Sequence, residues 1–130
     1  MVVSLSIRSV AARTGLTVHT LRYYDQVGLL PDVNRSEAGH RRFTDANVEW
    51  IRFVQKLRAT GMPIAQIQRY AAFARDGDVT GGERRKLLDA HRVAIENQIH
   101  QLGDALDLIT AKLAYYDSLL VLRSSRPRNV

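Results

Sequence analysis

The chain has 130 residues, 45% hydrophobic and 25% charged, the makeup of one modest globular domain with an extension at most, which rules out a disordered or collagen-like chain. Nineteen Lys and Arg against 13 Asp and Glu give a net charge of +6 and a pI near 10.2, a balance suited to a polyanionic partner. Cysteine is absent from the sequence, which excludes disulfides, thiolate metal sites, cysteine nucleophiles and thiol redox sensing.

Ser6 or Ser9 caps a first predicted helix over 9–14, and Gly15 ends it, because glycine tolerates the left-handed conformation that follows a helix. Thr17 caps a second helix over 18–27, closed by Gly28. Residues 30–43, with Pro31, Asn34 and Gly39, read as a small two-stranded ribbon turning at 36–39. Asp45 is the expected cap of a third helix over 46–60, whose Val48, Ile51, Val54 and Leu57 recur every three residues. Gly61 stops that helix, and Pro63 suits the first turn of a fourth, over 63–74. Three glycines and two aspartates make 75–82 an expected loop.

Residues 83–122 hold no proline and one interior glycine, Gly103. Leu88, Ile95, Leu102, Ile109 and Tyr116 lie seven apart, interleaved with Ile99, Leu106, Leu113 and Leu120, and Arg92 is the only break. This double row is a heptad seam. A helix of some 40 residues is roughly 60 Å long, too long to bury that seam on so small a head. It predicts pairing with a second chain, a homodimer, against the alternative of a helix packed on its own domain. Charge is divided in the same way. Residues 1–62 carry nine Lys or Arg and five acids, 63–122 seven and eight, and 123–130 three arginines and no acid. A basic head, a nearly neutral dimerisation element and a short basic tail are expected.

The first two helices also fit a helix-turn-helix. Ala11, Gly15 and Leu21 supply the small residue, the turn and the inner-face residue, with Val10, Leu16 and Val18 as further inner-face candidates. If the second helix is the reader, His19, Thr20, Arg22 and Tyr23 face outward near its start, as a major-groove probe requires.

Three separated motifs occur in order: Thr20-Leu-Arg-Tyr-Tyr-Asp-Gln-Val-Gly-Leu-Leu-Pro31, then Gly39-His-Arg-Arg-Phe43, then Leu57-Arg-Ala-Thr-Gly-Met62. With them the chain closely resembles the MerR family of bacterial transcription regulators, over residues 6 to about 76 by motif and 83–122 by architecture. Asp25, His40 and Phe43 are ordinary variations on the family pattern. The resemblance implies a mainly α fold. A winged helix-turn-helix DNA-binding domain with a small two-stranded wing and two further helices (1–76) is followed by a linker loop (77–82), a long dimerisation helix in an antiparallel coiled coil (83–122) and a flexible basic tail (123–130). It implies that Thr17, Val18 and His19 open the recognition helix and that Arg22, Tyr23 and Tyr24 contact base edges and phosphates. Arg41 and Arg42 are implied to grip phosphates from the wing, and Arg58 to clamp the backbone from the third helix. For Tyr24 a core position is an equal alternative; Phe43 and Trp50 read as packing residues. The implied dimer interface is Leu88, Ile95, Ile99, Leu102, Leu106, Ile109, Leu113, Tyr116 and Leu120.

The implied function is sequence-specific regulation of transcription. A homodimer binds a palindromic operator in double-stranded DNA between promoter elements and distorts the spacer, acting on RNA polymerase indirectly. The competing reading is a coiled-coil interaction protein with an incidental basic head. No enzyme is expected, since no paired-carboxylate, nucleophile–base or phosphate-loop arrangement occurs. No cofactor or metal is expected either: His19 and His40 belong to the head, and His91 and His100 are nine apart, not a one-helix ligand spacing. A small-molecule effector is a possible partner, placed near Tyr70, Phe73, Tyr115 and Tyr116, residues that read more readily as core. No apolar run nears the roughly 18 residues of a membrane span, the longest near the end being 119–122, and residues 1–15 lack a signal core. The expectation is a cytoplasmic protein without a membrane partner.

Overall fold

The computed structural model describes residues 4–30, 34–35, 39 and 41–125. Among these the fold is mainly helical: α1 (Ile7–Thr14), α2 (Val18–Gln26), α3 (Asp45–Ala59), α4 (Ile64–Arg75) and a 45-residue α5 (Gly81–Ser125). Two residue pairs, β1 (Asn34–Arg35) and β2 (Arg41–Arg42), run antiparallel with Asn34 opposite Arg42 and Arg35 opposite Arg41. The expected turn at 36–39, apart from Gly39, lies outside the described residues, as do His40 and the tail beyond Ser125.

Local chemistry sets most boundaries. Ser6 caps α1, accepting from the Ser9 amide at 3.2 Å, and Gly15 closes it at φ 77°. Thr17 caps α2, accepting from the Thr20 amide at 3.0 Å. At α3 the cap is Thr44, not Asp45. Its hydroxyl accepts from the Asn47 amide at 3.1 Å while Asn47 Oδ1 accepts from the Thr44 amide at 2.9 Å. This reciprocal box satisfies two orphan groups where an Asp cap satisfies one. Pro63 stands just outside α4, extended at φ −60° and ψ 144°.

The stretch expected as a loop is ordered differently. Gly77–Thr80 is a 3-10 turn, and α5 begins at Gly81, so Gly82 is helical. The Thr80 hydroxyl donates to the Phe73 carbonyl and, at 2.9 Å, to that of Gly77, to which Arg84 Nη2 also donates at 3.0 Å. These bonds satisfy carbonyls that glycine-rich backbone otherwise leaves to water.

The chain forms two compact units, dividing between His91 and Arg92 within α5. The first unit contains the core, centred on Val10, Leu21, Leu29, Phe43, Ile51, Val54 and Ile67, each fully buried. All four periodic residues of α3 are in it. An isolated bridge joins Leu5 to Phe43 through amide–carbonyl bonds of 2.7 and 2.8 Å. Leu87 and Leu88 pack against this core, and His91 is 8% exposed, with Nε2 2.7 Å from the Thr60 hydroxyl. Leu88, expected in the dimer seam, is thus half-buried against the core of its own unit. Among the described residues the second unit is helix alone. There Ile99, Leu102, Leu106, Ile109, Leu113, Tyr116 and Leu120 are each 55–70% exposed in the single chain, and Ile95 is half-buried.

Candidate nucleic-acid interface

α2 separates two faces. Leu21 and Tyr24 turn inward, while His19, Arg22 and Tyr23, at spacings of three and four, share the outer face and are exposed. Tyr23 is 40% exposed against 5% for Tyr24. The Tyr24 ring is therefore core and is not a reading surface, contrary to the expectation that it contacts DNA: one turn of helix places residue 24 beside Leu21. Val18 and Thr20 are half-buried, and the Thr17 hydroxyl is engaged at the cap with Thr20. No acid stands in the first turn of α2, so its amide end keeps its positive character.

The remaining expected contacts lie on other elements of the first unit. Arg58 is exposed in the last turn of α3. Arg42 is fastened to the start of the chain, Nε donating to Ser4 Oγ at 2.7 Å and Nη2 to the Ser4 carbonyl at 2.9 Å. Arg41 lies on β2, and its side chain is outside the described residues.

A set of side-chain to backbone bonds escapes sequence reading. Gln55 Nε2 donates to the Thr14 carbonyl at 2.9 Å and Arg52 Nη2 to that of Arg13 at 3.2 Å, tying the end of α1 to α3. Just after α2, four consecutive carbonyls accept from side chains: Val27 from Gln68 Nε2 at 2.7 Å, Leu29 from Trp50 Nε1 at 2.9 Å, and Leu30 and Gly28 from Arg75 Nη2 at 2.6 and 3.3 Å. The partners are 21 to 47 residues apart, so neither periodicity nor a local motif marks them.

Among the described residues no cluster of three His, Asp or Glu is placed to hold a metal. His19 is exposed, His91 meets Thr60, and His100 lies 3.4 Å from Asp104 on α5. Of the aromatics considered for an effector, Phe73 lines a groove of about 340 Å³ between α4 and the start of α5, while Tyr70 stacks on Trp50 with ring centres 5.3 Å apart. Tyr115 and Tyr116 belong to the second unit and lie edge to face at 5.4 Å. No helix among the described residues is long and apolar enough to cross a membrane.

Comparison with known proteins agrees with this geometry. Residues 5–73 match the family model of the MerR HTH family regulatory protein, and residues 48–112 that of the MerR DNA-binding region. An HTH-type transcriptional regulator of Haemophilus influenzae is 40% identical over 120 residues, covering 92% of this chain and 89% of that protein. The regulator AdhR of Bacillus subtilis is 36% identical over 88 residues, 68% of this chain and 63% of that protein. Among solved structures, HiNmlR, described as a MerR family regulator lacking the sensor domain and bound to promoter DNA, superposes with a TM-score of 0.82. It is 38% identical, over 92% of this chain and 95% of that one. A MerR-family structure from Listeria monocytogenes gives 0.87 at 33% identity, over 93% and 92%. These relatives are regulators of transcription, not enzymes. The chain belongs to the MerR family of helix-turn-helix, DNA-binding transcriptional regulators.

Proposed function

We propose that the protein acts as a homodimer on a palindromic operator within a promoter spacer. α2 of each protomer enters the major groove, and distortion of the spacer changes access of RNA polymerase to the promoter. The observation that carries the reading is the outer face of α2. His19, Arg22 and Tyr23 stand together on a capped helix whose other face is locked in the core by Leu21 and Tyr24. Arg22 is the residue suited to bidentate contact with guanine, and the α2 amide end to a phosphate. The ribbon carrying Arg41 and Arg42 is the wing in this reading: Arg41 meets the neighbouring phosphates, while Arg42, expected to do the same, is fastened to Ser4 and positions the ribbon; Arg58 meets the backbone from α3. The head then spans 1–76, with 77–82 as its junction to the dimerisation helix 83–122. The exposed row from Ile99 to Leu120 supports pairing with a second copy, antiparallel in this reading, so that the two heads are held apart by one helix length. Bending a site of this size costs on the order of 1–6 kcal/mol, which phosphate contacts from two heads offset together.

The test is binding to the DNA upstream of the protein's own gene, followed by gel shift and by fluorescence anisotropy. Arg22→Ala is expected to lose operator preference while remaining dimeric. Equal binding of wild type and Arg22→Ala to every fragment refutes the assignment of α2 as reader.

A further inference from the structure

The segment that follows α2, residues 27–30, is held by side chains from other helices. The last carbonyls of α2 itself are met locally, Tyr23 accepting from the Val27 amide, Tyr24 from that of Leu29 and Asp25 from that of Gly28. α2 has no basic residue in its last turn. The cation beside this end comes from α4: Arg75 Nη2 donates to the carbonyls of Leu30 and Gly28, while Gln68, seven residues earlier on the same helix, donates to Val27. Positions 68 and 75 lie on one stripe of α4, beside Ala71, which is fully buried. Trp50 of α3 completes the set on Leu29, its ring stacked on Tyr70 of α4. Three side chains thus grip four successive carbonyls, through bonds that tolerate only a few tenths of an ångström before they weaken.

We propose that Arg75 and Gln68, with Trp50, are positioning residues for operator reading. They fix the attitude of α2 relative to α4, so that His19, Arg22 and Tyr23 reach the base edges together. This rests on α2 being the reader. None of the three faces DNA in this scheme; each acts through the backbone it holds.

The test uses the full chain and two probes: a duplex selected from a random-sequence pool by the wild-type protein, and a shuffled duplex of the same composition. Arg75→Gln is expected to weaken binding to the selected duplex about tenfold, the equivalent of one charge-assisted hydrogen bond. Affinity for the shuffled duplex and the salt dependence stay at wild-type values, because no phosphate contact is lost. Arg75→Lys, which keeps a cation with several donors, restores most of the preference. Trp50→Phe, which removes the donor and keeps an aromatic ring against Tyr70, loses preference in the same direction and carries the test if Arg75→Gln fails to fold. Selected and shuffled duplexes weakening together, with a shallower salt dependence, would make Arg75 a phosphate contact and overturn the proposal. Arg75→Gln binding like wild type while Arg22→Ala loses preference overturns it and leaves the reader in place. Wild-type binding by both variants removes the reader as well.

Discussion

Leu106→Lys probes the dimer most directly. Leu106 sits in the middle of the exposed row and is 62% exposed in the single chain. Full burial of a leucine is worth about 1.5–3 kcal/mol, so covering what is open here contributes roughly 1–2 kcal/mol per protomer. A twofold pair contains the position twice, so its loss costs about 2–4 kcal/mol before the desolvation of two ammonium groups is counted. That alone weakens the dimer roughly 30- to 1,000-fold. Sedimentation equilibrium over a concentration series should show the variant as monomer where the wild type is dimer. Operator affinity should fall with it, since a single head loses the high effective concentration of its tethered twin. Asn97→Lys is the control: it adds the same charge on α5 at an exposed position off the row and is expected to leave the dimer intact. A Leu106→Lys dimer as tight as wild type, or a monomer with undiminished operator affinity, refutes the seam.

Two further outcomes are expected. Arg58→Gln should weaken operator and shuffled duplexes alike and flatten the salt slope by about two, one phosphate contact per head, as read by anisotropy titrations from low to high salt; a loss confined to the operator would make Arg58 a base-reading residue instead. Ile51→Ala, at a fully buried position in the middle of α3, should cost about 2–5 kcal/mol in urea unfolding followed by Trp50 fluorescence, and a loss below about 1 kcal/mol would contradict its place in the core.

The features legible in the sequence are those written in local chemistry. Thr17, Gly15 and Pro63 mark helix ends through capping and φ preferences acting within three or four residues. The seam of α5 is legible because seven-residue spacing needs only the sequence. Reading fails where two local solutions compete or where tertiary contact decides. Asp45 and Thr44 are both competent caps; Asn47 tips the choice by closing a box with Thr44, leaving Asp45 to pair with Arg13 at 2.9 Å. Gly81 and Gly82 each disfavour helix by about 1 kcal/mol, yet both lie at the very start of a helix propagated by the residues that follow. Leu88 obeys the heptad and still packs on its own core, because the first turns of α5 also carry Leu87 and His91 against that unit. The bonds from Gln68, Arg75 and Trp50 to the segment following α2 involve backbone acceptors, which every residue possesses, so sequence gives them no signature.

The same distinction applies to the charge, and there it yields a number. The head carries nine Lys and Arg in residues 1–62, which suggests nine phosphate contacts per protomer. The structure reduces that count. Arg13 lies 2.9 Å from Asp45 and Arg52 2.8 Å from Glu49, so a carboxylate cancels much of the field of each. Arg42 is fastened to Ser4. Arg8, Arg22, Lys56 and Arg58 remain exposed with no hydrogen bond or ion pair among the described residues, and Arg35 and Arg41 add at most two more. Four to six contacts per head, doubled in a dimer, give a slope of log affinity against log salt of about −7 to −11, whereas all nine would give about −16. A titration of wild-type protein on nonspecific duplex measures the slope directly. A value near −16 would mean that the internal pairs of Arg13, Arg42 and Arg52 open on DNA, and the partition of this head's arginines into fastening and DNA-facing groups would then fail.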